Sequence, residues 1–401
     1  MSMWSRLFGG RGSGAAKAKV SGNPGNTVFY VRSWTSDRRY KGDDKPHEYD
    51  YEICSLDLES KASTVLVGPQ PADAENRTVA LSDLAISPDR QRLAFSVRSS
   101  GYSGHAIGYI ALLQLSNNRL TDLRKFTPGV RKEEPGSPRG DLEFIFWAPE
   151  FSPDGKYLAF NATFSYTKMG SFNNPRLSLM KLVPTPTLNV EIQKPFDHLG
   201  CYYPRWRKGS QQLVHLANFA YEDALEVCIA DVGSTPSQVI NTRRLTDKAD
   251  ILWRRPGAFK LSSDQKFVYF AWGHLYHDHS QLCQLDLDAG GSIRPLGVEF
   301  ESEGIDRIEL SATEDRAFIL AGDGIHACDL RTGSDSLLFP TPDGAIKDFC
   351  MSPDRTRMLI VELQDAAVVL SVANADGGQR DVVLSIPKGT NDSFVREVLW
   401  A

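Results

Sequence analysis

The chain has 401 residues, of which 41% are hydrophobic, 10% aromatic and 24% charged, and its formal net charge is −5. This is the composition of a folded globular protein, and the mildly acidic balance excludes general nucleic-acid binding, which needs a basic field. No stretch of about 18 apolar residues is present, so no transmembrane segment is expected.

In chain order, residues 1–25 (MSMWSRLFGGRGSGAAKAKVSGNPG) come first and are dominated by Gly, Ala, Ser and Lys. They lack the apolar h-region of a secretory signal, because Trp4–Phe8 is broken by Ser5 and Arg6 and followed by Gly9 and Gly10. A disordered tail is expected, with Met3, Trp4, Leu7 and Phe8 offering only a weak, reversible membrane contact. From residue 26 to 401 the sequence reads as a single domain made of repeats. LSDLAISPDRQRLAFSV at 81–97, WAPEFSPDGKYLAFNAT at 147–163 and FCMSPDRTRMLIVEL at 349–363 share one plan: an apolar strand, Ser-Pro-Asp, and a second apolar strand. Weaker copies stand at 203–218, 259–272 and 308–322. Pro88, Pro153 and Pro353 set φ for a turn, and Asp with Gly completes it, so each unit is a hairpin.

A third strand ending in Asp and a small-residue turn follows in EICSLDLES (52–60), EVCIADVGS (226–234), QLCQLDLDAG (281–290) and HACDLRTG (326–333). A fourth strand follows at 63–68, 243–247, 293–297 and 336–340. Four successive strands per repeat make a propeller blade. The Ser position of the hairpin recurs at 87, 152, 207 (an Arg), 262, 311 and 352, giving six complete units. A seventh is split: VREVLWA at 395–401 supplies an innermost strand, and NTVFYVRSW at 26–34 supplies a second strand without a first. The expectation is an all-β, seven-bladed β-propeller of four-stranded antiparallel blades, its first blade closed by the C-terminal strand.

These motifs resemble the TolB-type, WD40-like propeller repeats over nearly all of residues 26–401. The resemblance implies the propeller fold and no particular activity. TolB itself is exported and carries an extra N-terminal domain; this sequence shows no export signal and leaves no span for that domain, so TolB's partners are not transferred.

Chemistry is harder to find. A G-x-S-x-G nucleophile elbow, a Walker loop and G-x-G-x-x-G are absent, and GYSGH (101–105) and GRGSG (10–14) do not match. Cys54, Cys201, Cys228, Cys283, Cys328 and Cys350 form no C-x-x-C pair and read as reduced thiols, four of them in strand-like stretches. His274, His277 and His279, beside Asp278, are close enough to chelate zinc or manganese, yet they lie in a loop between second and third strands, away from the axis. The cluster reads as a polar surface turn, with a metal site or a partner contact as alternatives, and no cofactor is expected.

The loops entering each innermost strand are better placed. They hold Asp141, Glu143, His198, Tyr202, Tyr203, Arg254, Arg255, Arg307, Lys347 and Arg396 at the channel mouth. Converging arginines grip carboxylate or phosphate groups bidentately; the competing reading pairs them with Glu303, Asp306, Asp348 and Glu397 as rim charges. Three loops, 35–50, 128–142 and 164–175, are long enough to suggest function or disorder, and the third carries Phe164, Tyr166, Met169 and Phe172. The functional expectation is a non-catalytic cytoplasmic interaction module for a protein or peptide partner. The rival is a propeller enzyme, a metal-dependent polysaccharide lyase or a hydrolase, with its site in the axial channel.

Overall fold

The structure is a computed structural model that describes residues 25–35, 49–69, 79–99, 108–123, 142–166, 176–182, 198–209, 211–219, 225–232, 239–246, 259–272, 279–289, 292–301, 304–341, 345–388 and 393–401. Among them every element is a β-strand. β1 (Thr27–Thr35), β2 (Tyr49–Asp57) and β3 (Ser63–Val67) belong to the first sheet. The second holds β4 (Val79–Ile86), β5 (Arg92–Ser99), β6 (Gly108–Gln114) and β7 (Arg119–Asp122). The third holds β8 (Leu142–Phe151), β9 (Tyr157–Tyr166) and β10 (Arg176–Lys181). β11 (His198–Arg207), β12 (Gln212–Phe219), β13 (Leu225–Val232) and β14 (Val239–Arg244) form the fourth. β15 (Phe259–Leu261), β16 (Phe267–Trp272), β17 (His279–Asp286) and β18 (Arg294–Glu301) form the fifth. β19 (Arg307–Leu310), β20 (Arg316–Ala321), β21 (Gly324–Asp329) and β22 (Asp335–Pro340) form the sixth. The last holds β23 (Ile346–Met351), β24 (Arg357–Leu363), β25 (Ala367–Asn374) and β26 (Arg380–Pro387). β27 (Ser393–Trp400) returns to pair antiparallel with β1, Val28 opposite Trp400 and Trp34 opposite Ser393.

The architecture is an all-β propeller. Six of its blades have four strands, not the seven expected from the repeat count; β8–β10 form a sheet of only three described strands. The sequence that follows β10 offered no fourth-strand signature like those at 63–68 or 336–340, and residues 183–197 lie outside the described residues.

The Ser-Pro-Asp corner is a hydrogen-bonded device. Ser87 Oγ donates to Asp89 Oδ1 (2.5 Å) and accepts from Arg92 N (2.9 Å), while Arg90 N donates to Ser87 O (2.8 Å). The same pattern recurs at Ser152, Ser262 and Ser352. In each corner the residue three after the Ser takes a left-handed φ, +55° at Arg90, +67° at Gly155, +60° at Gln265 and +59° at Arg355, which lets two antiparallel strands meet without splaying. Arg207 breaks the pattern. Its buried guanidinium crosses to the next blade, donating to Gln265 O (2.8 Å) and Asp288 Oδ1 (2.7 Å).

The core lies between consecutive sheets. Phe29 and Phe95 fill the gap between the first and second sheets, Phe146 and Phe160 the next, then Leu213 and Trp206, Phe270 and Val227, Ile308 and Leu282, and Phe349 and Phe318. Leu359 and Val361 of β24 meet Val398 and Trp400 of β27, so the final sheet packs on the first. Each such large apolar side chain contributes about 1.5–3 kcal/mol when fully buried. Cys54, Cys228, Cys283, Cys328 and Cys350 are free and buried in this core. Burial pushes the thiols of Cys54, Cys283, Cys328 and Cys350 up to about 12, so they serve as small apolar groups. No helix among the described residues is long and apolar enough to cross a membrane.

Candidate functional site

A cavity of about 810 Å³ is lined by residues from β27, β4, β8, β11, β15, β19 and β23, one edge strand of each described sheet, which identifies it as the central channel. Five of those strands carry a β-bulge at the channel. The pairing register shifts between Ser82 and Ala85, Trp147 and Glu150, Tyr202 and Arg205, and Ile346 and Asp348. On β27 the pairing skips Arg396. A bulge leaves extra residues unpaired and re-aims their side chains. Asp83, Ala148 and Tyr203 sit at three of these bulges with φ of +56°, +52° and +51°, a conformation few non-glycine residues adopt.

Freed backbone N–H groups need acceptors, and the preceding sheet supplies them. Asp348 Oδ2 accepts from Val398 N (3.3 Å), Glu397 Oε1 from Leu84 N (2.8 Å), Asp83 Oδ2 from Ala148 N (3.3 Å) and Asn161 Oδ1 from Tyr203 N (3.0 Å). Around the other side of the channel the contacts are ionic. Lys260 reaches Glu309 (2.5 Å), and Arg307 bridges Glu309 (3.1 Å) and Asp348 (2.9 Å). On the side of the N–H acceptors too, Arg205 stands 3.6 Å from Glu150, and Arg98 2.7 Å from Asp83.

These contacts set the charge states. Burial works against the Glu309 carboxylate, but Lys260 and Arg307 outweigh it and hold the group below the usual carboxylate range. Burial raises Asp348 despite Arg307, and burial likewise raises Glu150 despite Arg205. Glu397 stands apart: burial, then the neighbouring Asp83 and Asp348 charges, push it up to about 8, against the Leu84 N–H and the more distant Arg307. Burial pushes the Tyr203 phenol up to about 12.

The structure brings Tyr203, Arg307, Lys347 and Arg396 together on the cavity. Arg307 is spent on Glu309 and Asp348. Lys347 and Arg396 are exposed, and Arg396 also lies over the rings of Tyr49 (5.1 Å) and Phe394 (4.9 Å) and donates to Ser33 Oγ (3.0 Å). Tyr202 packs instead against the core between the fourth and fifth sheets. Glu143, His198 and His279 lie on β8, β11 and β17, where only their backbones are described. Asp141, Arg254, Arg255, Glu303, His274 and His277 lie outside the described residues, as do the tail 1–24 and most of the three long loops. Among the described residues no group of three or more His, Cys, Asp or Glu side chains is arranged to hold a metal ion.

Sequence reasoning missed Asp83, Glu150, Lys260 and Glu309, and treated Asp348 and Glu397 as rim counter-charges. The signal available was positional: each stands just before a Ser-Pro-Asp-type corner or in the matching place of the C-terminal strand.

No family model matches the chain, and no curated protein matches it. Solved structures do. The chain is similar to TolB from Acinetobacter baumannii, with 17% identity, a TM-score of 0.47 and coverage of 99% of this chain and 69% of that one. It is similar to an oligogalacturonate lyase solved in complex with manganese, with 11% identity, a TM-score of 0.50 and coverage of 92% of each chain. At that identity the likeness to the lyase speaks to the fold alone, and the chain is an all-β propeller.

Proposed function

We propose that the chain is a non-catalytic, cytoplasmic binding propeller that receives a charged segment of a protein or peptide partner at its channel mouth. In this reading residues 26–401 form one domain, the three-stranded sheet counts as a seventh blade, and β27 closes the ring. The observation that carries it is the cavity of about 810 Å³, built by every innermost strand and bordered by the exposed cations Lys347 and Arg396. Propellers offer a rigid frame on which such a mouth is tuned by loops. The test is capture with the full chain and with a Tyr203→Ala, Lys347→Ala, Arg396→Ala variant. A partner held by the first and lost by the second supports the reading. A partner held equally by both overturns the channel as its site.

A second reading, an enzyme acting in the same channel as a metal-dependent polysaccharide lyase or hydrolase, is favoured by the fold shared with a manganese-bound lyase. Stoichiometric manganese or zinc in the purified chain, lost on His277→Ala, would establish a metal site. Metal-free protein that still captures its partner argues for binding alone.

A further inference from the structure

Four carboxylates of the channel wall stand in ion pairs. Asp83 is matched by Arg98, Glu150 by Arg205, and Glu309 with Asp348 by Lys260 and Arg307. Glu397 is left over. Its Oε1 accepts the Leu84 N–H (2.8 Å), and no Lys, Arg or His among the described residues forms an ion pair with it. It lines the open cavity beside Asp83, whose Oδ2 accepts from Arg98 and the Ala148 N–H, and Asp348, whose two oxygens accept from Arg307 and the Phe349 and Val398 N–H groups. A carboxylate withdrawn from bulk water beside two other anions requires either a proton or a cation.

Resting on the channel as the docking site, we infer that Glu397 is the anchor for a single basic side chain, a lysine ammonium or an arginine guanidinium, carried by the partner segment. A divalent metal ion is the poorer complement, because it wants several oxygen ligands and the neighbouring Asp83 and Asp348 are already paired with Arg98 and Arg307. An ammonium is a compact point charge with rotatable donors that a lone carboxylate satisfies. The exposed Lys347 and Arg396 at the same cavity would repel a run of basic residues while accepting acidic neighbours, so the fitting segment carries one basic residue flanked by acidic ones.

The test needs no partner. The full chain, with ¹³C-labelled glutamate, is titrated with n-butylammonium and, separately, with neutral n-butanol. Saturable binding of the ammonium alone, read at the Glu397 carboxyl carbon, is expected. Affinity should rise by up to about tenfold per pH unit from pH 6 towards 8, as Glu397 gives its proton to solvent and takes the cation instead. Glu397→Gln, which keeps an acceptor for the Leu84 N–H and so keeps the fold, should abolish the binding. Equal binding of n-butanol, or ammonium binding that survives Glu397→Gln, overturns the inference. So does binding that emerges only in Arg254→Ala, Arg255→Ala, since Glu397 would then already hold a cation of its own chain. Ammonium binding to Glu397 alongside partner capture that ignores the channel variant would instead sink the docking reading and leave the cation site standing.

Discussion

The two halves of the channel are held together by different chemistry. From the last sheet through the first to the fourth, a side-chain oxygen of one sheet accepts a backbone N–H from the innermost strand of the next, in the order Asp348, Glu397, Asp83 and Asn161. From the fourth sheet to the last, the crossings are cations meeting carboxylates or carbonyls: Arg207, Lys260 and Arg307. The difference follows strand geometry. β4, β8 and β11 are 8, 10 and 10 residues long and bulged, so they expose N–H groups that need an acceptor. β15 and β19 are 3 and 4 residues long and their pairing shows no register break, and long charged side chains bridge the gap there. The bulged strands β27, β4, β8 and β11 thus take an acceptor from the preceding sheet, while bulged β23 is met by a charge, through Asp348 and Arg307.

The largest test removes the junction at which both systems meet. Deleting residues 395–401 strips β27 of Val395, Val398 and Trp400, all buried, and of Glu397 and the Val398 N–H that Asp348 receives. The three side chains alone account for about 5 kcal/mol or more, and β1 becomes a free edge. The unfolding midpoint in denaturant should fall sharply or the transition lose its cooperativity. A truncated chain with an unchanged midpoint would show that the first sheet does not need its C-terminal strand.

Next comes the ionic half. Glu309 is buried between Lys260 and Arg307. Glu309→Ala leaves two cations facing one another and should cost about 3–5 kcal/mol. Glu309→Gln keeps the shape and loses the charge, and should recover less than half of that. Urea melts of the two variants decide it: equal stability of Gln and wild type would mean that charge is not what holds this junction.

Acidity separates the halves in a third way. Glu397 holds its proton to about 8 in the native chain, well above an ordinary glutamate, because of burial and the neighbouring Asp83 and Asp348. Between the unfolded value and about 8 the native state therefore binds more protons than the unfolded state, so stability falls as pH rises through that window and levels off above it. Glu309 has the opposite sign: held low chiefly by Lys260 and Arg307, it loses its contribution only as pH falls through the acid range. Wild-type stability minus that of Glu397→Gln should decline between pH 5 and 8, no more steeply than about 1.4 kcal/mol per pH unit. A flat difference would place Glu397 in ordinary solvent, and a rising one beside a cation.

Much of this frame was legible in the residues. Ser-Pro-Asp at 87–89, 152–154 and 352–354 announces the corner in which Ser Oγ joins Asp to the second strand, because that turn is local and its residues are contiguous. The pairing of the C-terminal strand with β1 was legible for the same reason: a strand lacking a hairpin partner at each end of the repeat array. The channel wall was not. Alternation along VALSDLAI or LEFIFWAPEF assumes a period of two, and a bulge at Asp83 or Ala148 shifts that period without a local signature. Tyr203, Lys347 and Arg396 were singled out as residues of loops entering the innermost strands, although they lie on β11, β23 and β27, whereas Glu309 and Lys260, inside short strands, looked like solvent-facing charges. Three strands are described in the β8–β10 sheet, against four extrapolated from its neighbours.

The smallest expected effect sharpens the comparison most. Asp83 has left-handed φ, +56°, and its Oδ2 accepts from Ala148 N and from Arg98. Arg98 is partly exposed, its side chain 41% accessible, so losing that ion pair costs little. The acceptor for the Ala148 N–H and the tolerance of positive φ are what matter, and asparagine supplies both. Asp83→Asn should therefore change stability by less than about 0.5 kcal/mol, while Asp83→Ala, which strains φ and orphans a half-buried N–H, should cost about 2 kcal/mol. At Glu309, by contrast, the amide recovers less than half of the loss, because charge is the bond there. Thermal melts of Asp83→Asn and Asp83→Ala beside Glu309→Gln and Glu309→Ala put the distinction to a direct trial. If Asp83→Asn proves as damaging as Asp83→Ala, the bulged half depends on charge after all and the two halves of the ring are one system.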